Sequence, residues 1–252
     1  MSSDSTSSTT RLPSHLDLPC SDGLPKDDQF HSTQAFLLVD SVRPYLDRLH
    51  QDGRYFVGTF TGIYFKITDP PLRGCRSPDF YYVPGVPPIL PDSRYHRSYV
   101  LWIEQVPPAL IIEFVSDISR VADHDATSEV GTFWIYENLI KAPYYAIYDP
   151  FTAQIELYRL KDGRYQPVAP DMDRLFAVPP MKLKLGIQHD KHHGMQLYWL
   201  RFFDEEGEML PLQVDIARQE RLDAEERAER EEQRADRFAA QLQELGIDPE
   251  RL

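Results

Sequence analysis

A chain of 252 residues, 42% of them hydrophobic, is long enough for one large domain with appendages or for two small domains. No stretch approaches the ~20 apolar residues of a membrane-spanning helix, and the Ser-rich N-terminus lacks the apolar core of a secretion signal. The two cysteines, Cys20 and Cys75, are far apart in sequence, which argues against a disulfide framework and favours the cytoplasm.

The net charge of −13 is unevenly distributed along the chain. Residues 204–252 contain 16 acidic and 7 basic side chains, a net charge of −9, so residues 1–203 carry only −4. This mildly negative body argues against tight non-specific nucleic-acid binding driven by bulk charge. It is neutral with respect to a substrate that carries phosphate.

The first segment predicts a flexible arm that leads into a helix. Residues 1–28 are rich in Ser, Thr, Asp and Pro and contain few large apolar side chains. Residues 31–51 place apolar side chains at helical spacing, with Ser32 or Thr33 as the N-cap and Pro44 as a residue that can kink the helix.

A mostly β stretch follows this helix. The strand-like pieces are RYFVGTF, GIYFKI, DFYYVPG, SYVLWIE and ALIIEFV. The polar segment 117–130 then predicts a turn and a second helix that ends near Ile140, with Asp125, Thr127 or Ser128 as its cap.

The remainder of the body predicts further strands. APYYAIYDP is a strand that ends at a turn, and TAQIELYRL and RYQPVAP form a hairpin around Asp162 and Gly163. MKLKLGIQ and MQLYWLRFF form another pair, and the HDKHHG between them indicates an exposed turn rather than a metal site of His189 and His193. The order of helix, strands, helix and strands predicts an α+β fold.

The C-terminal segment predicts one long, charged helix. It is rich in Ala, Glu, Arg and Gln, which favours i,i+4 Glu–Arg pairs on a solvated surface. Its seven-residue apolar seam is weak because Arg221 and Glu231 interrupt it. A solvated helix is therefore the first interpretation. A self-associating coiled coil around Phe238 and Leu245, which would give a homo-oligomer, is the second.

One glutamate lies inside an otherwise apolar run. In PPALIIEFVS (107–116), six of the seven residues from Ala109 to Val115 are apolar, which predicts a short buried strand containing Glu113. An ionised carboxylate in such a strand is costly unless a cation meets it or it becomes protonated. Its partner is either an Arg or Lys side chain or a metal ion.

A second carboxylate is a candidate to share that ion. Asp79 opens the aromatic strand of SPDFYYV (77–83), 34 residues before Glu113. An Asp at a strand entrance is commonly only a turn residue. The gap fits a connection that returns the chain to a neighbouring strand, however. Two carboxylates on adjacent strands can hold a divalent cation through oxygen ligands, as Mg2+ prefers.

These stretches together resemble a known family. PDFYYV, ALIIEFVSDIS, the helix with Tyr136 and PYYAIYDP look like the bacterial putative restriction endonucleases, a branch of the PD-(D/E)XK nuclease superfamily, over roughly residues 30–205. The resemblance implies a restriction-endonuclease-like central mixed sheet flanked by helices, and cleavage of DNA that depends on Mg2+. Carried over by position, the catalytic and metal-binding aspartate is Asp79 and the glutamate is Glu113.

The chain departs from the family pattern at the lysine. The superfamily places a lysine two residues after the acidic residue, where this chain has Val115, and this branch places it four residues before the tyrosine, where the chain has Thr132. Lys141 lies too far along the chain to substitute, whereas His124 or Arg120 could swing in from the preceding loop. Loss of such a preorganised group costs about a hundredfold to a thousandfold in rate.

Neighbouring polar residues carry weaker interpretations. Asp123, His124 and Asp125 form a polar loop near the expected site and are minor candidates for auxiliary metal ligands. Ser116 and Asp117 follow the glutamate directly, where ordinary turn chemistry is the better explanation.

Three hypotheses follow for function. The preferred one is an endonuclease that uses Mg2+ or Mn2+, with water as the nucleophile. The second is a degenerate relative that keeps the fold and binds metal or nucleic acid without cleavage. The third is an interaction protein that acts through its acidic tail. The predicted domains are a disordered arm (1–28), a restriction-endonuclease-like domain (29–212) and a charged helical tail (213–252).

Overall fold

A computed structural model describes residues 11–23, 29–90, 94–116 and 123–244 of the chain. The chain divides into two units, Met1–Leu210 and Pro211–Leu252. The strands of the first unit are β1 (Tyr55–Gly58), β2 (Ile63–Tyr64), β3 (Cys75–Arg76), β4 (Phe80–Pro84), β5 (Tyr99–Val100), β6 (Leu110–Phe114), β7 (Tyr144–Asp149), β8 (Gln154–Lys161), β9 (Arg164–Val168), β10 (Phe176–Val178), β11 (Leu183–His192) and β12 (Met195–Phe203). The helices are α1 (Gln29–Leu49), α2 (Leu101–Glu104), α3 (Thr132–Ile135), which continues as a π-helical turn (Tyr136–Ile140), and α4 (Gln213–Glu244) of the second unit.

A six-stranded sheet in the order β1-β4-β6-β7-β8-β9 forms the centre of the first unit. All neighbouring strands in it are antiparallel except β6 and β7, which are parallel. Two three-stranded sheets accompany it, in the orders β10-β11-β12 and β3-β2-β5. The predicted α+β fold with a central mixed sheet is therefore confirmed.

The central sheet buries side chains on both of its faces. On the first face Phe80, Ile112 and Phe114 pack against α1 and the β10-β11-β12 sheet. On the second face Ile111 and Val115 pack against α3, the π-helical turn and β5. Because side chains alternate along a strand, β6 is buried on both sides, which explains its continuous apolar run.

The hairpin predicted around Asp162 and Gly163 is confirmed. Strands β8 and β9 pair with Lys161 opposite Arg164, and the two residues between them have positive φ angles of 52° and 76°. Positive φ at both central positions is what a type I′ turn requires, and Asp-Gly adopts it readily. The second predicted pair, β11 and β12, also forms, with a turn at His193 and Gly194.

The sequence prediction is wrong for SYVLWIE and for the start of the second helix. SYVLWIE forms a strand only at Tyr99–Val100 and then the short helix α2, because Gln105 has a left-handed φ of 56° and its backbone N–H bonds back to Leu101. The second helix begins at Thr132 instead of the polar segment before it. There the Asp125 carboxylate accepts backbone N–H bonds at 2.9 and 3.0 Å and closes a local turn.

Part of the segment predicted to be a flexible arm has defined contacts. Leu18 is buried, and the Trp102 indole N–H donates to the backbone carbonyl of Pro13 at 2.8 Å. Asp22 and Ser77 exchange two hydrogen bonds, each from a backbone N–H to the other's side-chain oxygen. Composition alone does not predict these contacts, because the partner residues lie far along the chain. The rest of the predicted arm, 1–10 and 24–28, lies outside the described residues.

The second unit contains α4, which is 32 residues long. Its side chains form i,i+4 ion pairs, as predicted, between Arg221 and Glu225 at 2.8 Å and between Arg230 and Glu226 at 3.8 Å. Phe238 is 53% exposed. Self-association through this helix stays a prediction. Within the described ranges no helix has the length and apolar character needed to cross a bilayer.

A buried glutamate fixes the π-helical turn to β9. Glu137 is 4% exposed, and its carboxylate accepts the Tyr165 backbone N–H at 2.6 Å and the Arg164 guanidinium at 2.9 Å. Hydrogen bonds to a buried charged group stabilise a fold by about 1.5–3 kcal/mol each. Glu137 therefore holds the turn in which Tyr136 points at the second face of the sheet.

Substitution of this glutamate tests that role. We expect Glu137→Ala to lower the free energy of unfolding by about 2–3 kcal/mol, since it leaves the buried Tyr165 N–H without its acceptor. Arg164→Met is the control and should cost less than about 1 kcal/mol, because that side chain is 71% exposed and its ion pair is screened by water. Urea denaturation measures both. Equal losses in the two variants would contradict the account.

Candidate metal centre

The antiparallel pairing of β4 with β6 sets the two predicted carboxylates side by side. The last pair of this ladder is Phe80 opposite Ile112, and continuation of its register by one residue sets Asp79, just before β4, opposite Glu113. Directly opposed residues point to the same face of a sheet and have Cβ atoms about 4.5–5.5 Å apart. Both side chains are buried, at 3% and 9% exposure, on the face that α3 covers.

Each carboxylate reaches across to the backbone of the other strand. The Phe114 backbone N–H donates to Asp79 Oδ2 at 2.6 Å. The Asp79 backbone N–H donates to Glu113 Oε2 over a longer 3.4 Å. These reciprocal contacts fix both side chains at the point where β4 begins and β6 ends.

A buried tyrosine orients the glutamate. The Tyr136 hydroxyl donates to Glu113 Oε1 at 2.5 Å, and the Tyr136 side chain is fully buried. Burial, followed by the negative charge of Glu113, raises the pKa of Tyr136 well above its usual 10.0. The phenol therefore remains protonated and acts as a donor. The sequence motif identified Tyr136, but the motif does not show this contact.

A third acidic residue, Asp123, contacts the Tyr145 side chain through its backbone. The Tyr145 hydroxyl donates to the backbone carbonyl of Asp123 at 3.2 Å, and Asp123 is buried. Burial raises the pKa of Tyr145 well above 10.0, and the charges of Asp123, Glu113 and Asp79 add to this rise. Three carboxylates therefore lie within electrostatic reach of this one phenol.

The other two residues of that polar loop lie in different surroundings. His124 Nε2 is 3.0 Å from Oε1 of Glu156, on an exposed surface. Glu156 is opposite Ile147 on β7, which is opposite Glu113 on β6, so the imidazole lies two strands beyond the carboxylate pair. The Asp125 carboxylate accepts its hydrogen bonds from Thr127 and Ser128 within its own turn. No sequence signal predicts that Glu156 contacts His124, because this contact depends on the order of the strands in the sheet.

The donor chemistry of the pair fits Mg2+ or Mn2+. Both side chains supply oxygen only, which hard divalent cations prefer. Within the described part of the chain, no group of three or more His, Cys, Asp or Glu side chains is arranged to hold a metal ion. Mg2+ commonly binds through one or two carboxylates and keeps several waters. A two-carboxylate site is therefore sufficient for it.

A protein-family model matches most of this chain. The model of the Uma2 family, described as "Putative restriction endonuclease", matches residues 24–190. The chain belongs to the Uma2 family. The family places it among nucleases at a general level.

One solved structure is similar to part of this Uma2 chain. It is the crystal structure of a putative nuclease of the DUF820 group from Anabaena variabilis ATCC 29413. The two are 15% identical, with a TM-score of 0.41, and the alignment covers 62% of this chain and 76% of the other. Among curated proteins, none matches this chain.

Thr132 occupies the position at which the family pattern has a lysine. Thr132 is the first residue of α3 and is 8% exposed. Lys141 lies beyond the π-helical turn, on the surface and with a left-handed φ of 59°, so it is at the opposite end of the helical segment. Val115 contributes only to the apolar cluster of the second face. Arg120 and Asp117 lie outside the described residues.

The histidines at the β11–β12 turn do not form a metal site. His189 lies on β11 with its ring 4.7 Å from that of Tyr198, and His193 forms the turn after the strand. They do not share a helical face. The predicted turn is shorter than expected, because residues 189–192 continue β11 and only His193 and Gly194 form the turn.

A double-mutant cycle tests the contact between Tyr136 and Glu113. We expect Tyr136→Phe to cost about 1.5–3 kcal/mol of unfolding free energy, because it removes a hydrogen bond to a charged group. In a Glu113→Gln background the same change should cost less, which gives a coupling of at least about 1 kcal/mol.

The matched control is Tyr165→Phe. Its hydroxyl donates to the Ala142 carbonyl at 2.9 Å, so its cost should add to that of Glu113→Gln. Urea denaturation of the single and double variants gives both couplings. Additivity of Tyr136→Phe with Glu113→Gln within about 0.5 kcal/mol would sink the proposed contact.

Proposed function

We propose that this Uma2 protein is an endonuclease that hydrolyses phosphodiester bonds of DNA with Mg2+ or Mn2+. Asp79 and Glu113 are its metal ligands, and water is its nucleophile. The observation that carries the proposal is the burial of these two carboxylates side by side, each bonded to the backbone beside the other. Two carboxylates held together on adjoining strands can bind a divalent cation through their oxygen atoms.

The residues around the pair have roles that follow from their contacts. The Phe114 N–H holds Asp79, and the Tyr136 hydroxyl holds Glu113, so neither carboxylate has to reorganise when an ion binds. A bound divalent ion supplies an activated water and an electrophile for the phosphoryl oxygens. The contribution of the protein is therefore a preorganised pair of oxygen ligands in a fixed orientation.

The family supports DNA as the substrate class. The body of the chain has only a small negative net charge, so phosphate recognition has to come from local groups and from the metal rather than from a basic surface. We therefore expect modest affinity for DNA with a shallow dependence on salt, because few phosphates are neutralised.

Plasmid nicking tests the proposal. We expect purified protein to nick supercoiled DNA when Mg2+ or Mn2+ is present and not when EDTA is added. Asp79→Asn and Glu113→Gln should each reduce the rate at least about a hundredfold, because each removes a charged ligand.

Asp125→Asn is the matched control for these variants. It changes a carboxylate to an amide in the same region, but this carboxylate only accepts hydrogen bonds within its own turn. Its activity should equal that of the parent. Nicking by Asp79→Asn at the parent rate would refute the assignment of the site.

The second candidate is a degenerate nuclease that keeps the fold and binds metal or nucleic acid without cleaving it. Thr132 favours this candidate, because a threonine cannot supply the charge of the family's lysine. The variant Thr132→Lys distinguishes the active enzyme from the degenerate nuclease. Cleavage that appears only in this variant indicates degeneration, whereas cleavage by the parent indicates an active enzyme.

A further inference from the structure

We infer that Arg76 supplies the fixed positive charge that contacts the substrate phosphate, in place of the lysine that this chain lacks. The inference rests on the proposed endonuclease function and extends it to a residue outside the family motif. Its basis is the position of the Arg76 guanidinium, which joins β3 to the turn that begins α3.

Two hydrogen bonds hold the Arg76 guanidinium in place. Nη1 donates to the backbone carbonyl of Cys75 at 2.7 Å, and Nη2 donates to the backbone carbonyl of Val130 at 2.7 Å. Val130 is two residues before Thr132, the position at which the family carries its lysine. The guanidinium therefore lies beside the N-terminal turn of α3, near the place from which that lysine would extend.

The partners of Arg76 position its charge without neutralising it. Both acceptors are backbone carbonyls, and no carboxylate among the residues that the structure describes forms an ion pair with Arg76. Arg164 differs, because its guanidinium is paired with Glu137. A guanidinium has five N–H donors in a planar fork that matches two phosphate oxygens. Arg76 uses two of its nitrogens for positioning and keeps its full charge.

Arg76 is also close to the carboxylate pair along the chain. The side chain is half-buried on β3, three residues before Asp79. A phosphate bridging this guanidinium and an ion on Asp79 and Glu113 would meet positive charge from two sides, as stabilisation of a phosphoryl transition state requires.

Nicking rates at saturating Mn2+ test the catalytic part of the inference. We expect Arg76→Met to lose about a hundredfold to a thousandfold in rate. Arg76→Lys should keep part of the rate, and addition of Thr132→Lys to Arg76→Met should restore part of it, because a lysine there extends from the same turn. A residue with only a structural role would not be rescued in this way.

Arg54→Met is the matched control. Its Nη2 also donates to a backbone carbonyl, that of Gly85 at 2.7 Å, but at the opposite end of β4 from Asp79. This variant should nick at the parent rate. Parent activity in Arg76→Met, or an equal loss in Arg54→Met, would overturn the inference while the endonuclease proposal stands.

A binding measurement decides the case in which the parent does not nick. The probe is a fluorescent DNA duplex in EDTA, followed by anisotropy across a series of salt concentrations. Loss of one phosphate contact should weaken binding by Arg76→Met and reduce the slope of log affinity against log salt by about one unit, with no change in Arg54→Met. An unchanged slope in Arg76→Met overturns the inference whether or not the parent cleaves DNA.

Discussion

The register between β4 and β6 is the constraint on which the rest of this structure depends. Phe80 opposite Ile112 places Asp79 opposite Glu113, and a slip of one residue would turn a whole strand over and send one carboxylate to the other face. The register is secured because both faces of β6 are buried, so any slip would also misplace its apolar side chains. The same apolar residues that form the core therefore determine the geometry of the candidate site.

Burial of two neighbouring carboxylates is a cost to the fold, and hydrogen-bond donors around them reduce it. The Phe114 N–H and the Tyr136 hydroxyl each donate to one carboxylate, and Glu137 in turn holds the π-helical turn that carries the phenol. These donors lower the cost of burying the two carboxylates.

Much of this arrangement was readable from the sequence, for identifiable reasons. Glu113 stood out because a charge within a β-branched apolar run is rare, and Asp79 because it opened a strand at a suitable distance along the chain. The Asp-Gly hairpin was local and therefore predictable. The start of α3 was missed because the Asp125 turn competed with the helix, and Arg76 was missed because its relation to Thr132 exists only after the chain has folded.

The central claim is that Asp79 and Glu113 jointly hold one divalent ion, and calorimetric titration with Mn2+ tests it without requiring catalysis. The account predicts that the parent and Asp125→Asn bind Mn2+ at a single site, and that Asp79→Asn and Glu113→Gln each lose that binding. Retention of parent affinity in both carboxylate variants would contradict it.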